Sequence, residues 1–437
     1  MTHLPFTFIK DLESSTETIQ LRGWIHHIRK QGKLFFLVLR DSTGLIQAVL
    51  KPGLTDEAAL ALVQDLARES VIELVGQVRE DPRAPYARME IQASSVNVIS
   101  RSSPEIEHEL RPDSGVDVLL DKRHLVLRGE KTRQIMHFRA ETLRSFRDYY
   151  HRCNFVEVTP PTIVQTEVEG GSTLFKLKYF DEDAYLTQSS QLYLETVLPA
   201  LGDCYCMLSS YRAEKSRTRR HLTEYTHLEA ELAFCEFEGL LVHLEDLIVS
   251  VASNLFQRCQ DLIHQLNPGF SPPQKPFRRL PYGEMIELLQ KEGISKQDGS
   301  YYEWGEDVPE EPERALVDRL GEPVFLTRFP KHMKAFYMPP AEDDPQVTYS
   351  ADLLLPTVGE TIGASQRIHD LAVLEQRIEE FGLDLSPYYW YLDLRKYGTV
   401  PHSGYGLGIE RFIQWMLNLD HIREACLYPR LINRAKP

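Results

Sequence analysis

The sequence lacks the long apolar runs that cross membranes and the cysteine pairs that bind zinc. No stretch reaches about 18 uncharged apolar residues, and residues 1–14 do not join a basic region to an apolar core, as a secretory leader does. Six cysteines occur among 437 residues, and no CxxC or Cys/His pair has zinc spacing. We therefore expect a cytoplasmic protein with no membrane partner and no metal held by cysteine.

The sequence also lacks two common nucleotide-binding fingerprints and is short of positive charge. Neither GxxxxGK[ST] nor a GxGxxG after a strand is present. Lys and Arg number 49 against 64 Asp and Glu, for a formal net charge of −15. Because phosphate binding needs local cations, any nucleic-acid site must be a basic patch. One candidate runs from Ile19 to Arg40, with five Lys or Arg and no carboxylate; a solvated strand face is the alternative.

The length indicates two or three domains, and the residue pattern predicts an α+β multidomain fold. Within residues 1–100, five short strands and one helix suggest an OB-type barrel. Residues 101–132 show no periodicity and are interpreted as a hinge. Residues 133–437 are predicted to form a larger domain with a mainly antiparallel sheet, in which the Pro- and Glu-rich stretch 267–330 is a possible inserted subdomain.

Three polar segments are candidates for chemistry. The segment 211–225 holds four arginines, a lysine and a histidine, which suit a polyphosphate; a solvated basic hairpin is the alternative. Asp352 and Glu360 bracket an apolar run predicted to be a strand and could bind magnesium, although carboxylates at strand ends are also ordinary. The segment 404–411 has three glycines before an apolar helix, so its backbone can approach a ligand closely or make a structural corner.

Taken together, these segments resemble the signature motifs of class II aminoacyl-tRNA synthetases of the aspartyl, asparaginyl and lysyl subgroup. The resemblance extends from Arg22-Gly-Trp24 to Cys426-Leu-Tyr-Pro-Arg430. It implies an anticodon-binding barrel, a class II catalytic domain, and a homodimer interface around the proline matched by Pro161. It also implies that Phe36 and Gln47 contact anticodon bases, whereas Phe36 considered alone would be interpreted as a core residue.

The resemblance further implies an ATP site with magnesium. Arg212 is expected to hold the α-phosphate, Glu214 the adenine amino group, and Arg411 with Tyr225 to stack on adenine; Arg212, Glu214 and Arg411 are the expected catalytic residues. Asp352 and Glu360 are expected to bind Mg²⁺, and Gly363 stands where aspartyl relatives have a serine ligand, which leaves the number of ions open. The full expected ATP-binding set is Arg212, Glu214, Arg220, His221, Leu222, Tyr225, Glu360, Gly408, Ile409, Glu410 and Arg411.

The amino-acid pocket implied by the resemblance favours L-asparagine. Its expected residues are Glu169, Ser189, Gln191, Arg212, Glu229 and Arg367. Aspartyl relatives place a lysine where this chain has Leu194 and a shorter carboxylate where it has Glu229, so a neutral carboxamide should fit better than a carboxylate. The expected reaction joins asparagine to tRNA(Asn), releasing AMP and pyrophosphate. An aspartyl enzyme, an asparagine-forming paralogue and an inactive tRNA-binding module are the alternatives.

Overall fold

The computed structural model describes residues 5–14, 17–86, 88–111, 113–168, 173–214, 219 and 221–437. These residues form two compact units, Met1–Val126 and Leu127–Pro437. The predicted combination of a small barrel and a larger domain built on a sheet is confirmed. The exact domain boundaries expected from the sequence, 1–100, 101–132 and 133–437, stay predictions.

The first unit is a closed five-stranded barrel with strand order β1-β2-β3-β5-β4. Its elements are β1 (Thr18–Gln31), β2 (Leu34–Arg40), β3 (Leu45–Leu50), α1 (Glu57–Gln64), β4 (Val71–Glu80), β5 (Met89–Ser100), α2 (Ile106–Glu109), α3 (Val116–Asp121) and α4 (Arg123–Val126). Alternate side chains of β2 fill the barrel, since Phe35, Leu37 and Leu39 are buried. The segment predicted as a hinge carries three short helices.

The second unit is built on an eight-stranded, mainly antiparallel sheet with order β12-β13-β14-β15-β16-β11-β10-β6, beside a three-stranded sheet β7-β9-β8. Its strands are β6 (Val156–Glu157), β7 (Ile163–Val164), β8 (Phe175–Tyr179), β9 (Glu182–Leu186), β10 (Cys204–Tyr211), β11 (Glu224–Ala233), β12 (Arg278–Pro281), β13 (Val324–Thr327), β14 (Ser350–Leu355), β15 (Gly359–Gln366) and β16 (His402–Gly408). Its helices are α5 (Glu130–Arg152), α6 (Gln191–Leu201), α7 (Phe237–Arg258), α8 (Gln260–Leu266), α9 (Tyr282–Lys291), α10 (Glu310–Leu320), α11 (Leu371–Glu380), α12 (Tyr389–Lys396) and α13 (Ile409–Leu417).

The two faces of the large sheet differ in chemistry. On β11, Leu228, Ala230 and Leu232 belong to a core formed with α5, α7 and α13. His227 and Glu229, which alternate with them, face the opposite side and line a cavity. On β16, Tyr405 and Leu407 are core residues, and the intervening positions are glycines. The sheet therefore separates an apolar, helix-covered face from a polar face with room for ligands.

Helix α7 is long and apolar enough to cross a membrane by length and composition, and half of its most apolar window is buried. Its buried side chains, including Leu240, Leu244 and Leu247, pack within the core of the second unit. The apolar composition of α7 is thus explained by core packing.

Two elements differ from the sequence expectation. One helix was expected over 240–265, but the backbone departs from helical geometry at Cys259, which separates α7 from α8. One strand was expected from Asp352 to Glu360, but the chain turns after Leu355. Pro356 cannot donate to a β-ladder, and Thr357 and Gly359 have positive φ, so the segment forms a hairpin between β14 and β15.

The 267–330 stretch is connected to the large sheet through its two strands. β12 and β13 pair in parallel, and β13 pairs with β14. A local core under α9 and α10 includes Leu280, Leu289 and Leu326. Its interpretation as an inserted subdomain stays a prediction.

Candidate active site

A cavity of about 580 Å³ opens on the polar face of the large sheet. Most residues expected to bind ATP, the amino acid or metal line it, namely Ser189, Gln191, Arg212, Glu214, His221, Leu222, Tyr225, Glu229, Asp352, Glu360, Arg367, Gly408, Glu410 and Arg411. Ile409 does not, because its side chain is fully buried in the core; only its backbone could contact a nucleotide. Glu169 and Arg220 lie outside the described residues.

One end of the cavity is built from the hairpin of β10 and β11 and the start of α13. The Arg212 guanidinium lies 5.7 Å from the Tyr225 ring centre and 3.7 Å from a Glu214 carboxylate oxygen. His221 Nε2 lies 3.4 Å from the other Glu214 oxygen. These side chains place cationic, aromatic and acceptor groups together, as a nucleotide with a phosphate tail requires.

Two predicted residues of α13 have protein partners in this cavity. Arg411 Nη1 donates to the Glu360 backbone oxygen at 2.7 Å and lies 3.3 Å from the Glu360 carboxylate. Glu410 is buried and accepts hydrogen bonds from the Thr226 backbone, while Arg139 pairs with it at 2.8 Å. Glu410 thus fixes the start of α13 against β11, and a direct nucleotide contact by its carboxylate stays a prediction.

The candidate metal ligands converge because β14 and β15 pair in antiparallel. Asp352 is opposite Gly363 in the ladder, and a Cβ built on Gly363 would lie 3.8 Å from one oxygen of Asp352 and 3.8 Å from one oxygen of Glu360. Two carboxylates around an open position form the oxygen-rich donor set that Mg²⁺ prefers. Lys334, which was not predicted from the sequence, pairs with Asp352 at 2.7 Å.

The other end of the cavity is formed by the start of α6 and by β11. Both oxygens of Glu229 have partners: Ser189 Oγ donates to one, and the Ser190 backbone N–H donates to the other at 2.8 Å. His227 Nδ1 lies 3.4 Å from Glu229. Burial raises the pKa of the Glu229 carboxyl, and the hydrogen bonds from Ser189 and Ser190 oppose this shift. The oxygen that accepts from Ser189 retains a second lone pair for a substrate amide.

Arg367 is held by Glu231, a residue that was not predicted from the sequence. The guanidinium makes a two-nitrogen contact with Glu231, at 2.7 Å from Nη2 and 3.1 Å from Nε, and donates to Ser365 Oγ at 2.7 Å. The signal for Glu231 was present in the sequence, since residues 227, 229 and 231 are polar at every second position of a strand and must share one face. Leu194, by contrast, does not line this cavity and packs with Leu198, Cys204 and Cys206.

The predicted anticodon residues lie on the outer surface of the barrel. Phe36 is absent from the barrel core, and the Arg29 guanidinium lies 4.3 Å from its ring centre. Gln47 on the neighbouring β3 donates to Glu90 at 3.4 Å. The interpretation of Phe36 as a core residue is therefore excluded. Pro161, expected at a dimer interface, is exposed.

Known proteins with similar sequences agree with these features. A family model described as "tRNA synthetases class II (D, K and N)" matches residues 115–432, and one described as "OB-fold nucleic acid binding domain" matches residues 19–99. The cytoplasmic asparagine–tRNA ligase of Homo sapiens is 47% identical over 426 residues, which are 96% of this chain and 77% of the human protein. The chain belongs to the asparagine–tRNA ligases of the class II synthetases.

Solved structures of other synthetases of this type have the same fold. The asparaginyl-tRNA synthetase of Entamoeba histolytica in complex with asparaginyl-adenylate has a TM-score of 0.93 and 43% identity, with full coverage of both chains. The enzyme of Pyrococcus horikoshii, also complexed with asparaginyl-adenylate, has a TM-score of 0.92 and 38% identity, again with full coverage. The fold expected for a class II synthetase with an OB-type barrel is therefore confirmed.

Proposed function

We propose that this synthetase activates L-asparagine with ATP and transfers it to the 3′ end of tRNA(Asn), releasing pyrophosphate and AMP, in the cytoplasm. The observation that carries the proposal is the continuity of one cavity from Arg212, Tyr225 and Arg411 to Glu229 and Arg367. ATP and an amino acid bound at its two ends would meet with the amino-acid carboxylate near the α-phosphate.

The first step needs no nucleophile from the protein. The asparagine carboxylate attacks the α-phosphorus, a P–O bond forms, and the bond to the β-phosphate oxygen breaks to release pyrophosphate. Arg212 would hold the α-phosphate, and Arg411 with Tyr225 would enclose the adenine. Positioning of the reactants and fixed positive charge near the phosphates lower the barrier. A ribose hydroxyl of tRNA then attacks the carbonyl carbon of the adenylate, and AMP leaves.

Asp352 and Glu360 are the residues proposed to hold Mg²⁺ with ATP. The donor set fits, because oxygens of both carboxylates flank the open position at Gly363. The ion would supply positive charge that neutralises phosphate oxygens. Lys334, paired with Asp352, lines the same cavity and adds a fixed cation near this position.

Selection of asparagine is proposed to depend on the pocket around Arg367 and Glu229. Arg367 would donate to the side-chain carbonyl of the substrate, and Glu229 would accept from its NH₂ group. An aspartate carboxylate would be repelled by Glu229 and would gain little from Arg367, which already pairs with Glu231. Buried charges without compensation are costly, so the neutral side chain is favoured.

Binding of tRNA(Asn) and dimer formation complete the proposal. Phe36 would stack on an anticodon base and Gln47 would hydrogen-bond one, both from the outer barrel surface. A homodimer around Pro161 is supported by exposed apolar side chains nearby in the chain, Val156 and Ile163, and by the position of β6 at an end of the large sheet.

The test is ATP–pyrophosphate exchange by the purified protein with each of the twenty amino acids, without tRNA, followed by aminoacylation of tRNA(Asn). Strong exchange with asparagine and little with aspartate is expected. A preference for aspartate would overturn the asparagine assignment. If no amino acid supports exchange, an inactive tRNA-binding module is the better explanation.

A further inference from the structure

A buried network of charged side chains lies behind the amino-acid end of the cavity, and its centre is a residue that the mechanism does not use. Its centre is Glu195 on α6, which has no exposed surface. Its carboxylate accepts from Arg395 Nη2 at 2.5 Å and from the Tyr391 hydroxyl at 2.8 Å, and His402 Nε2 lies 2.9 Å away. Although burial opposes ionisation, the charge of Arg395 and the His402 hydrogen bond hold the pKa of Glu195 well below its usual range.

Glu195 is linked to the cavity by its hydrogen bond with Gln191. The Gln191 side-chain amide donates to the second oxygen of Glu195 at 3.0 Å, and Gln191 itself lines the cavity. An ionised carboxylate only accepts, so this bond fixes which end of the amide points at Glu195. The carbonyl oxygen of Gln191 is then the group directed away from Glu195.

A second link between Glu195 and the cavity is electrostatic and runs through Glu231 and Arg367. The nearest carboxylate oxygens of Glu195 and Glu231 lie within 4.8 Å of each other, and Glu231 makes the two-nitrogen contact with Arg367 described above. Burial raises the pKa of Glu231 to about 7; Arg367 opposes this shift and the Glu195 charge adds to it. The three groups act on one another because the region is fully buried.

The charged groups behind the pocket disfavour the binding of a substrate that carries a side-chain carboxylate. Two guanidinium groups, those of Arg367 and Arg395, stand among three buried carboxylates, those of Glu195, Glu229 and Glu231. His402 is the further titratable group, and its Nδ1 faces the Val400 carbonyl oxygen at 2.7 Å. The negative charge of Glu195 therefore offsets positive charge beside the pocket.

We propose that Glu195 is a positioning residue that determines specificity: it orients Gln191, and its negative charge offsets the positive charges of Arg395 and Arg367 beside the pocket, so that a carboxamide is accepted and a carboxylate rejected. This inference rests on the proposed activation of asparagine. Removing the Glu195 charge leaves the pocket more positive and therefore more attractive to aspartate. By Coulomb's law with an effective dielectric constant of about 20, a unit charge roughly 6–8 Å from another changes affinity by about 30- to 100-fold.

The decisive variant is Glu195→Gln, which keeps the shape and removes the charge. Pyrophosphate exchange is measured with asparagine and with aspartate, with separate kcat and KM values, KM for ATP, and thermal unfolding. The ratio of kcat/KM for aspartate to that for asparagine should rise by about tenfold or more, through KM for the amino acid, with KM for ATP unchanged. A folded variant with an unchanged ratio would overturn the proposal.

The matched control is Tyr391→Phe, which removes no charge but removes a hydroxyl that donates to Glu195 and accepts from Arg395. It should raise KM for asparagine by a few fold, because Glu195 then positions Gln191 less rigidly. The ratio of kcat/KM for aspartate to that for asparagine should not change, because no charge is removed. If Glu195→Gln does not fold, this variant decides: an unaltered KM for asparagine contradicts the positioning role. Failure of the wild-type protein to activate asparagine would instead refute the proposed function, so the two failures are distinguishable.

Discussion

The carboxylate of Glu231 occupies the space where a side chain at Gly404 would begin. The two residues are opposite each other on β11 and β16, and a Cβ added to Gly404 would overlap both carboxylate oxygens. Two positions along, a Cβ on Gly406 would overlap the His227 ring in the same way. The glycines of β16 therefore make room for polar side chains of β11, and this allows Glu231 to reach Arg367.

We predict that Gly404→Ala displaces Glu231 from Arg367. Because the Glu231 carboxylate is fully buried, it cannot simply swing away, and crowding in a packed interior costs about 1–3 kcal/mol. Pyrophosphate exchange with asparagine should fall at least about tenfold, and the melting temperature should drop. Gly269→Ala is the control, since a Cβ there meets no atom within 4 Å. Full activity of Gly404→Ala would contradict this account of β16.

The local elements of the fold were predictable because their signals are local. The barrel strands follow from alternating apolar residues, as in Phe35, Leu37 and Leu39 of β2, and helix α5 follows from apolar spacing such as Ile135 and Phe138. The hairpin after Leu355 carries a Pro and a Gly and could have been anticipated. The break at Cys259 has no Pro or Gly beside it, so no local signal marks it.

The residues of the candidate site that belong to sequence motifs were predictable, whereas those brought together from distant segments were not. Arg212, Tyr225, Asp352 and Arg411 stand in recognisable segments, and all line the cavity. The partners of Glu195 lie about 200 positions away in the chain, at Arg395 and His402. Only the pairing of strands and the packing of α12 near α6 bring these groups together, so pattern reading on one chain misses them.

We predict that Asp352→Asn weakens the coupling between magnesium and ATP. The amide removes one of two carboxylates around Gly363, so the magnesium concentration for half-maximal exchange should rise by about 10–100-fold. The thermal stabilisation by ATP should also become less dependent on MgCl₂. Asp343→Asn is the matched control, because Asp343 also pairs with a basic side chain, Arg328, and does not line the cavity. An unaltered magnesium dependence would refute the assignment of Asp352.

We predict that Phe36→Ala weakens tRNA binding and leaves amino-acid activation intact. A stacked base is worth about 1–3 kcal/mol, so KM for tRNA(Asn) should rise by roughly 5- to 150-fold. The rate of pyrophosphate exchange without tRNA should stay within about twofold of the wild-type rate, because a surface substitution in a separate compact unit has only a small effect. Ile99→Ala, at an exposed apolar residue of the barrel, should leave both values unchanged. Equal KM values for Phe36→Ala and the wild type would exclude base stacking at this position.

We predict that His243 contributes to loss of stability in acid. Burial lowers the pKa of His243 to about 4, and nearby Asp246 opposes this shift only in part. The ring lies against Phe155, and its Nε2 is 3.0 Å from the Tyr405 hydroxyl, which in turn meets the Tyr150 hydroxyl at 2.5 Å. These contacts join α7 and α5 to β16, directly behind the glycines that face the cavity.

The sign of the pH effect follows from the direction of the shift. The unfolded chain binds a proton at His243 near pH 6.5, whereas the folded protein resists it until about pH 4. Stability from this residue is therefore complete above pH 6.5 and is lost as the pH falls through 4, by on the order of 3 kcal/mol. His243→Gln keeps a hydrogen-bonding side chain and does not titrate, so its melting temperature should fall less steeply than that of the wild type between pH 6.5 and 4. His421, whose pKa burial also lowers to about 4, adds the same slope to both proteins and cancels in the comparison. If the melting temperatures of the two proteins fall equally between pH 6.5 and 4, His243 is not the buried neutral group that this packing requires.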